Sequence, residues 1–135
     1  MAYWLVKSEP FKYSWDEMVN DGTTYWDGVR NYQASNNMKA MKKGDECFFY
    51  HSNEGKEIVG IVKVVKEYYP DHTDEKGRFG MVDVKTVKPL KKSVTLKEIK
   101  ETKSLETMAL VRQSRLSVCP VADKEWKTIC KMGGI

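Results

Sequence analysis

The sequence predicts an α+β domain, with about five to six short strands curved into a sheet or small barrel and helices set around it. Three observations lead there. The chain has 135 residues, 41% hydrophobic and 31% charged, the size and balance of one globular domain that buries a core without disulfides or metals. Short runs rich in branched and aromatic residues recur along it, as strands require. Between them stand helical patterns with capping signals, but without the regular strand-helix-strand alternation of a doubly wound sheet. The single domain is expected to span residues 1–135.

Tyr3, Trp4, Leu5, Val6 and Lys7 read as a first strand. It ends at Ser8-Glu9-Pro10, because Pro10 donates no hydrogen bond and biases Glu9 toward extended backbone. Ser14 stands three residues before Glu17, the spacing of a capping box, and Trp15, Met18 and Val19 recur at helical intervals until Asp21-Gly22. A second helix is predicted over 32–42 from Ala34, Met38 and Met41, after which Gly44-Asp45 turns the chain. Cys47-Phe48-Phe49-Tyr50 and residues 58–65 are two strands joined as a hairpin through Ser52-Asn53-Glu54-Gly55. Residues 69–77 are polar and turn-rich. Met81 to Val87 alternates with period two, a half-buried strand that Pro89 is expected to end. Thr95 and Glu98 repeat the capping-box spacing for a short helix through Ile99, and a further helical turn is expected over 104–108. Residues 116–119 make a last strand stopped at Pro120. Trp126, Ile129 and Cys130 mark the apolar face of a final helix ending at Gly133-Gly134.

Charge and cysteines narrow the function classes. A net charge of +4, with 23 basic residues interleaved among 19 acidic ones, permits a polyanionic partner without demanding one. Cys47, Cys119 and Cys130 are odd in number and widely spaced, so no disulfide framework is expected. His51 and His72 are the two histidines, and no cysteine sits two residues from another, which excludes the usual zinc patterns. Neither G-x-G-x-x-G nor G-x-x-x-x-G-K occurs. His51 and Ser52 are adjacent, an awkward pair for base and nucleophile because strand neighbours point to opposite faces. No catalytic residue, metal or cofactor is therefore expected. No stretch approaches the roughly 20 apolar residues of a membrane span, and the start lacks a basic leader with a long apolar region. The expectation is an intracellular protein that meets no membrane, cytoplasmic or, in a eukaryote, nuclear. Nothing sets an oligomeric state, and a monomer is the simpler expectation.

Four segments carry side chains suited to recognition: Lys7-Ser8-Glu9-Pro10, Trp26-Asp27-Gly28-Val29-Arg30-Asn31-Tyr32-Gln33-Ala34, Phe49-Tyr50-His51-Ser52, and Leu110-Val111-Arg112-Gln113-Ser114-Arg115-Leu116-Ser117. Each begins or ends a predicted strand. Strand ends gather at the mouth of a curved sheet, where aromatics can stack a planar ligand and Ser, Glu, Asn and Gln can fix its edge. Each segment also has a structural reading. Trp26 and Val29 could be core residues beside a Gly28 turn, and Ser8 and Glu9 could cap the turn that follows them. Tyr50 and His51 could be half-buried amphipathic residues, and Arg112 and Arg115 could make salt bridges.

Over almost its whole length the chain resembles the EVE domain family. The resemblance is carried by Tyr3 to Pro10, Trp26 to Ala34, Lys43-Gly44-Asp45, Phe49 to Ser52, Gly60-Ile61-Val62, Val82-Asp83-Val84, Met108 to Val118, and Pro120-Val121. It implies the PUA-like fold, shared with YTH, ASCH and SRA-type domains. It also implies a non-enzymatic nucleic-acid-binding module that takes a modified base of DNA or RNA, such as a methylated cytosine, into an aromatic-lined pocket. On that reading Trp26 and Tyr50 are pocket walls, while Ser8, Glu9, Asn31 and Ser52 read the base edge. Arg30, Arg112 and Arg115 are nearby cations, and Lys7, His51 and Ser114 complete the site. Two alternatives stay open: an ASCH-like enzyme acting on RNA or a nucleoside with His51 or Glu9 as acid or base, and a protein-interaction module. The chain departs from the family pattern at Ser35, where a basic residue is common and could contact phosphate, and at Phe79-Gly80, where a Trp is common.

Overall fold

The computed structural model describes residues 1–135 and is built on one mixed sheet of six strands. In chain order these are β1 (Tyr3–Ser8), β2 (Thr23–Tyr25), β3 (Glu46–His51), β4 (Glu57–Pro70), β5 (Gly80–Thr95) and β6 (Val118–Val121). Across the sheet they lie in the order β2-β5-β4-β3-β1-β6. β1 runs parallel to β3, and every other neighbouring pair is antiparallel. The helices are α1 (Trp15–Asp21), α2 (Tyr32–Ala40), α3 (Leu96–Glu101), α4 (Ala109–Arg112) and α5 (Asp123–Met132), with a single 3-10 turn at Lys103–Leu105. No helix is long and apolar enough to cross a membrane.

The α+β class is as expected, but the barrel is not closed. β2 and β6 are free edges. Helix α2 lies between them, packing on β6 at one side and on β5 and β4 at the other. Its Asn37 Nδ2 donates to the Val118 carbonyl at 2.8 Å, and Ser35 Oγ lies 2.9 Å from Tyr68 Oη on β4. A helix with buried Ala34 and Met38 thus fills the gap that a strand ladder would fill in a barrel.

Central β3 buries Cys47, Phe48, Phe49 and Tyr50 in succession, since both faces of the sheet are covered at that strand. On one face α5 docks through Trp126, whose ring stacks on Phe48 at 3.9 Å and on Tyr3 at 4.3 Å. On the other, α1 lays Trp15 against Phe49 and directly over Gly60, where any β-carbon would come within 2.3 Å of the indole. α1 is capped as its sequence indicates, with Ser14 Oγ accepting from the Glu17 amide at 3.2 Å. α3 carries the reciprocal Thr95 and Glu98 box.

Pro89 does not end β5. The strand continues to Thr95, and Pro89 lies opposite Gly60 at a register shift, where its missing N–H breaks no regular ladder. Pro120 likewise sits inside β6, an edge strand paired with β1 alone. β4 runs to Pro70, beyond the expected end at Val65, so the polar loop that follows starts at Asp71. The helical turn expected over 104–108 falls at Lys103–Leu105, and α4 and β2 were not anticipated.

Candidate nucleic-acid interface

Because β1 and β3 are parallel and in register, Ser8 pairs with His51 and both strands end at one rim of the sheet. The Ser52 amide donates to the Ser8 carbonyl at 2.9 Å and holds the two ends together. Segment 113–117 is drawn to the same rim, since the Lys7 amide donates to the Ser117 carbonyl at 3.0 Å and Lys7 Nζ to the Ser114 carbonyl at 2.9 Å. Loop 26–31 comes from the opposite side, anchored by the Trp26 amide on the Val82 carbonyl at 2.7 Å. Between these segments opens a cleft of about 920 Å³.

Trp26 forms part of its wall. The indole is only 8% exposed, packed edgewise against Phe49 at 5.5 Å and Tyr13 at 6.4 Å. Polar groups line the rest. Ser8 Oγ donates to the Tyr13 carbonyl, and Glu9 accepts from Asn53 Nδ2 at 2.9 Å with Lys12 Nζ 3.4 Å away. Tyr13 Oη donates to Asp21 at 2.7 Å, and burial together with that carboxylate pushes its pKa up to about 12, so the phenol stays protonated. Burial pulls the Lys7 ammonium below its ordinary value.

A second groove, of about 350 Å³, runs between Asn31 and Gln33 on one side and Arg112, Gln113, Ser114, Arg115 and Leu116 on the other. Ser114 and Arg115 line both hollows, which makes them one continuous surface. Neither Arg112 nor Arg115 is spent in an ion pair. No group of three His, Cys, Asp or Glu side chains is placed to hold a metal ion.

Loop 26–31 is shaped by a carboxylate from another part of the chain. Asp71 is fully buried and accepts from the Gly28 amide at 2.9 Å, Arg30 Nη1 at 3.0 Å, and the Thr73 amide and hydroxyl at 2.7 and 2.6 Å. Burial alone would raise its pKa, but these hydrogen bonds outweigh it and bring the carboxyl down to about 2. Gly28 has φ +79°, a left-handed conformation that glycine adopts freely. Arg30 also donates to the Val29 carbonyl and to Thr73 Oγ1, both at 3.0 Å.

The structure thus brings Lys7, Ser8, Glu9, Trp26, Ser52, Ser114 and Arg115 to the cleft and Asn31 and Arg112 to the groove. Three expected residues stand elsewhere. Arg30 braces the loop. Tyr50 is buried in the core with its phenol raised to about 12 by burial. The His51 imidazole accepts the Trp15 N–H at 3.0 Å, and burial lowers its pKa. Asn31 also caps α2, accepting from the Ala34 amide at 2.9 Å. Ser35 is buried against Tyr68 and presents nothing to a phosphate. Phe79 lies at the surface beside Tyr32 and Arg30.

Several cleft residues escaped the sequence reading, among them Tyr13, Asp21 and Asn53. Asp27 lies inside the Trp26 to Ala34 run but has no role of its own in that reading. Tyr13 precedes and Asp21 ends a helix whose docking depends on Gly60, 39 residues beyond Asp21, so no local signal marks them.

An open curved sheet, a helix set into its gap and a polar cleft where its strands end define a PUA-like domain. Within that class the chain belongs to the EVE domain family, whose model matches residues 2–132. Thymocyte nuclear protein 1 of Rattus norvegicus is 38% identical over 164 residues, covering 96% of this chain and 73% of that protein. A solved protein of Rhodopseudomonas palustris is 56% identical with a TM-score of 0.94, over 99% of this chain and 94% of that one. The human THYN1 protein, solved in complex with DNA containing 5-methylcytosine, is 36% identical with a TM-score of 0.94, over 100% and 99% of the two chains.

Proposed function

We propose that this chain is a non-enzymatic nucleic-acid reader. It holds one modified base of the 5-methylcytosine kind in the Trp26 cleft and the strand's phosphates in the Arg112 and Arg115 groove. The observation that carries the reading is the continuity of the two hollows through Ser114 and Arg115. A base and its own backbone need such adjoining surfaces, one aromatic and hydrogen-bonding, the other cationic. Glu9 and Asp27 supply carboxylate acceptors of the kind that take the exocyclic amine of cytosine, and Trp26 and Tyr13 supply apolar edges for a methyl group. The family relative solved with methylated DNA supports the same ligand class. His51 favours binding over catalysis, because its acceptor nitrogen is already committed to α1.

Titration of short single strands that differ only by one methyl on cytosine, followed by tryptophan fluorescence, tests the reading. Tighter binding of the methylated strand is expected. Equal affinity for both strands would overturn base reading.

A further inference from the structure

On the proposed reading the cleft holds the one base that is read, and its neighbour in the strand has still to be placed. Tyr32 is 62% exposed, a large aromatic surface to leave in water. Its ring is nonetheless fixed, lying tilted by 35° on Phe79 at 4.9 Å, with the Arg30 guanidinium 5.7 Å from the Phe79 centroid. Arg30 is itself clamped by Asp71 and Thr73. The support under Tyr32 is therefore rigid, while most of the ring stays open. On either side of it in the chain, Asn31 and Gln33 line the groove that carries Arg112 and Arg115. An aromatic ring backed by another ring, open to solvent and flanked in the chain by two residues of a groove that carries two unpaired guanidiniums, has the chemistry of a base-stacking platform on a single-strand track.

We propose that Tyr32 is a second base site, on which the nucleobase adjacent to the read base stacks while the groove holds the phosphate between them. This rests on the reader function proposed above. It deepens that function by naming the substrate class as a strand unpaired over at least two neighbouring nucleotides. A duplex with a single base turned out keeps the neighbour stacked on its own helix and away from Tyr32.

Three probes test the site: 5-methyl-2′-deoxycytidine alone, a short single strand carrying it, and the same strand with abasic sugars on both sides of it. Wild-type protein is expected to bind the intact strand roughly five- to tenfold more tightly than the abasic one, the low end of what stacking contributes. Tyr32→Ala should abolish that preference and leave nucleoside affinity unchanged, and Tyr32→Phe should keep it. The inference is overturned if wild type binds both strands equally, or if Tyr32→Ala weakens both to the same degree. A wild type that binds none of the probes would instead remove the reader function on which the inference rests.

Discussion

Trp26 is held on several sides, by its amide on Val82, by the Phe49 ring and by the Tyr13 ring, and shows the cleft little of its surface. It is a core residue that also lines the cleft. Trp26→Ala is expected to cost about 3 kcal/mol or more of stability, because the cavity is walled by packed rings. Trp26→Phe should keep the fold and lower affinity for the methylated strand about tenfold, with thermal melts separating the two effects. At Asp71 the folded carboxyl lies at about 2 against an ordinary 3.8. Its stabilising share is complete above 3.8 and is lost as pH falls through about 2. Asp71→Asn should lower the melting temperature at neutral pH and lose less of it than wild type in that acid window. A variant that tracks wild type throughout would show that Asp71 does not hold the loop. Trp26 was legible because its neighbours form a mixed aromatic and amide motif. Asp71 was not, since it reads as one more polar residue in a turn until Arg30, 41 positions away, folds back onto it.

α1 is an element fixed at its first residue by groups outside itself. Its first amide is satisfied by the His51 imidazole, and its Trp15 fits only because residue 60 is glycine. Protonating His51 removes the acceptor. Its folded pKa lies below the ordinary 6.5, so its contribution is present above 6.5 and lost as pH drops through the lowered value. Amide exchange in α1 should accelerate on mild acidification, and His51→Gln, whose side-chain carbonyl can still accept, should blunt that response. Unchanged α1 protection across the transition would count against the capping role. Capping boxes and helical spacing made α1, α3 and the apolar face of α5 readable. β2 was not readable, because Thr23, Thr24 and Tyr25 are mostly exposed and become a strand only by pairing with β5. Pro89 misled for a related reason, since a proline opposite a register shift looks, in sequence, like one that ends a strand.

Across the whole molecule, charge is sorted in a way that the net value of +4 conceals. In the cleft Glu9, Asp21 and Asp27 are balanced by Lys7, Lys12 and Arg115, whereas the adjoining groove carries Arg112 and Arg115 with no carboxylate on its lining. The uncompensated positive charge of the groove thereby favours phosphates there over the charge-balanced cleft. Arg115→Gln should reduce the dependence of log affinity on log salt by about 0.7, the share of one single-strand phosphate contact. Arg30→Gln should leave that slope unchanged while weakening binding through the loop. Equal slopes for wild type and Arg115→Gln would remove Arg115 from the phosphate track. The α+β class was legible because strand-type and helix-type periods alternate irregularly along the chain. The open seam was not, since no local pattern distinguishes a strand that finds a last partner from one that does not.

That seam gives α2 a mechanical role. The helix starts at Asn31, where loop 26–31 ends, and its far flank grips β6 through Asn37. Asn31 and Gln33 at its start face Arg112 to Leu116 across the groove. A strand lying there would bridge these two banks as a clasp fastens a bracelet, adding a second fastening to the one that Asn37 makes with β6.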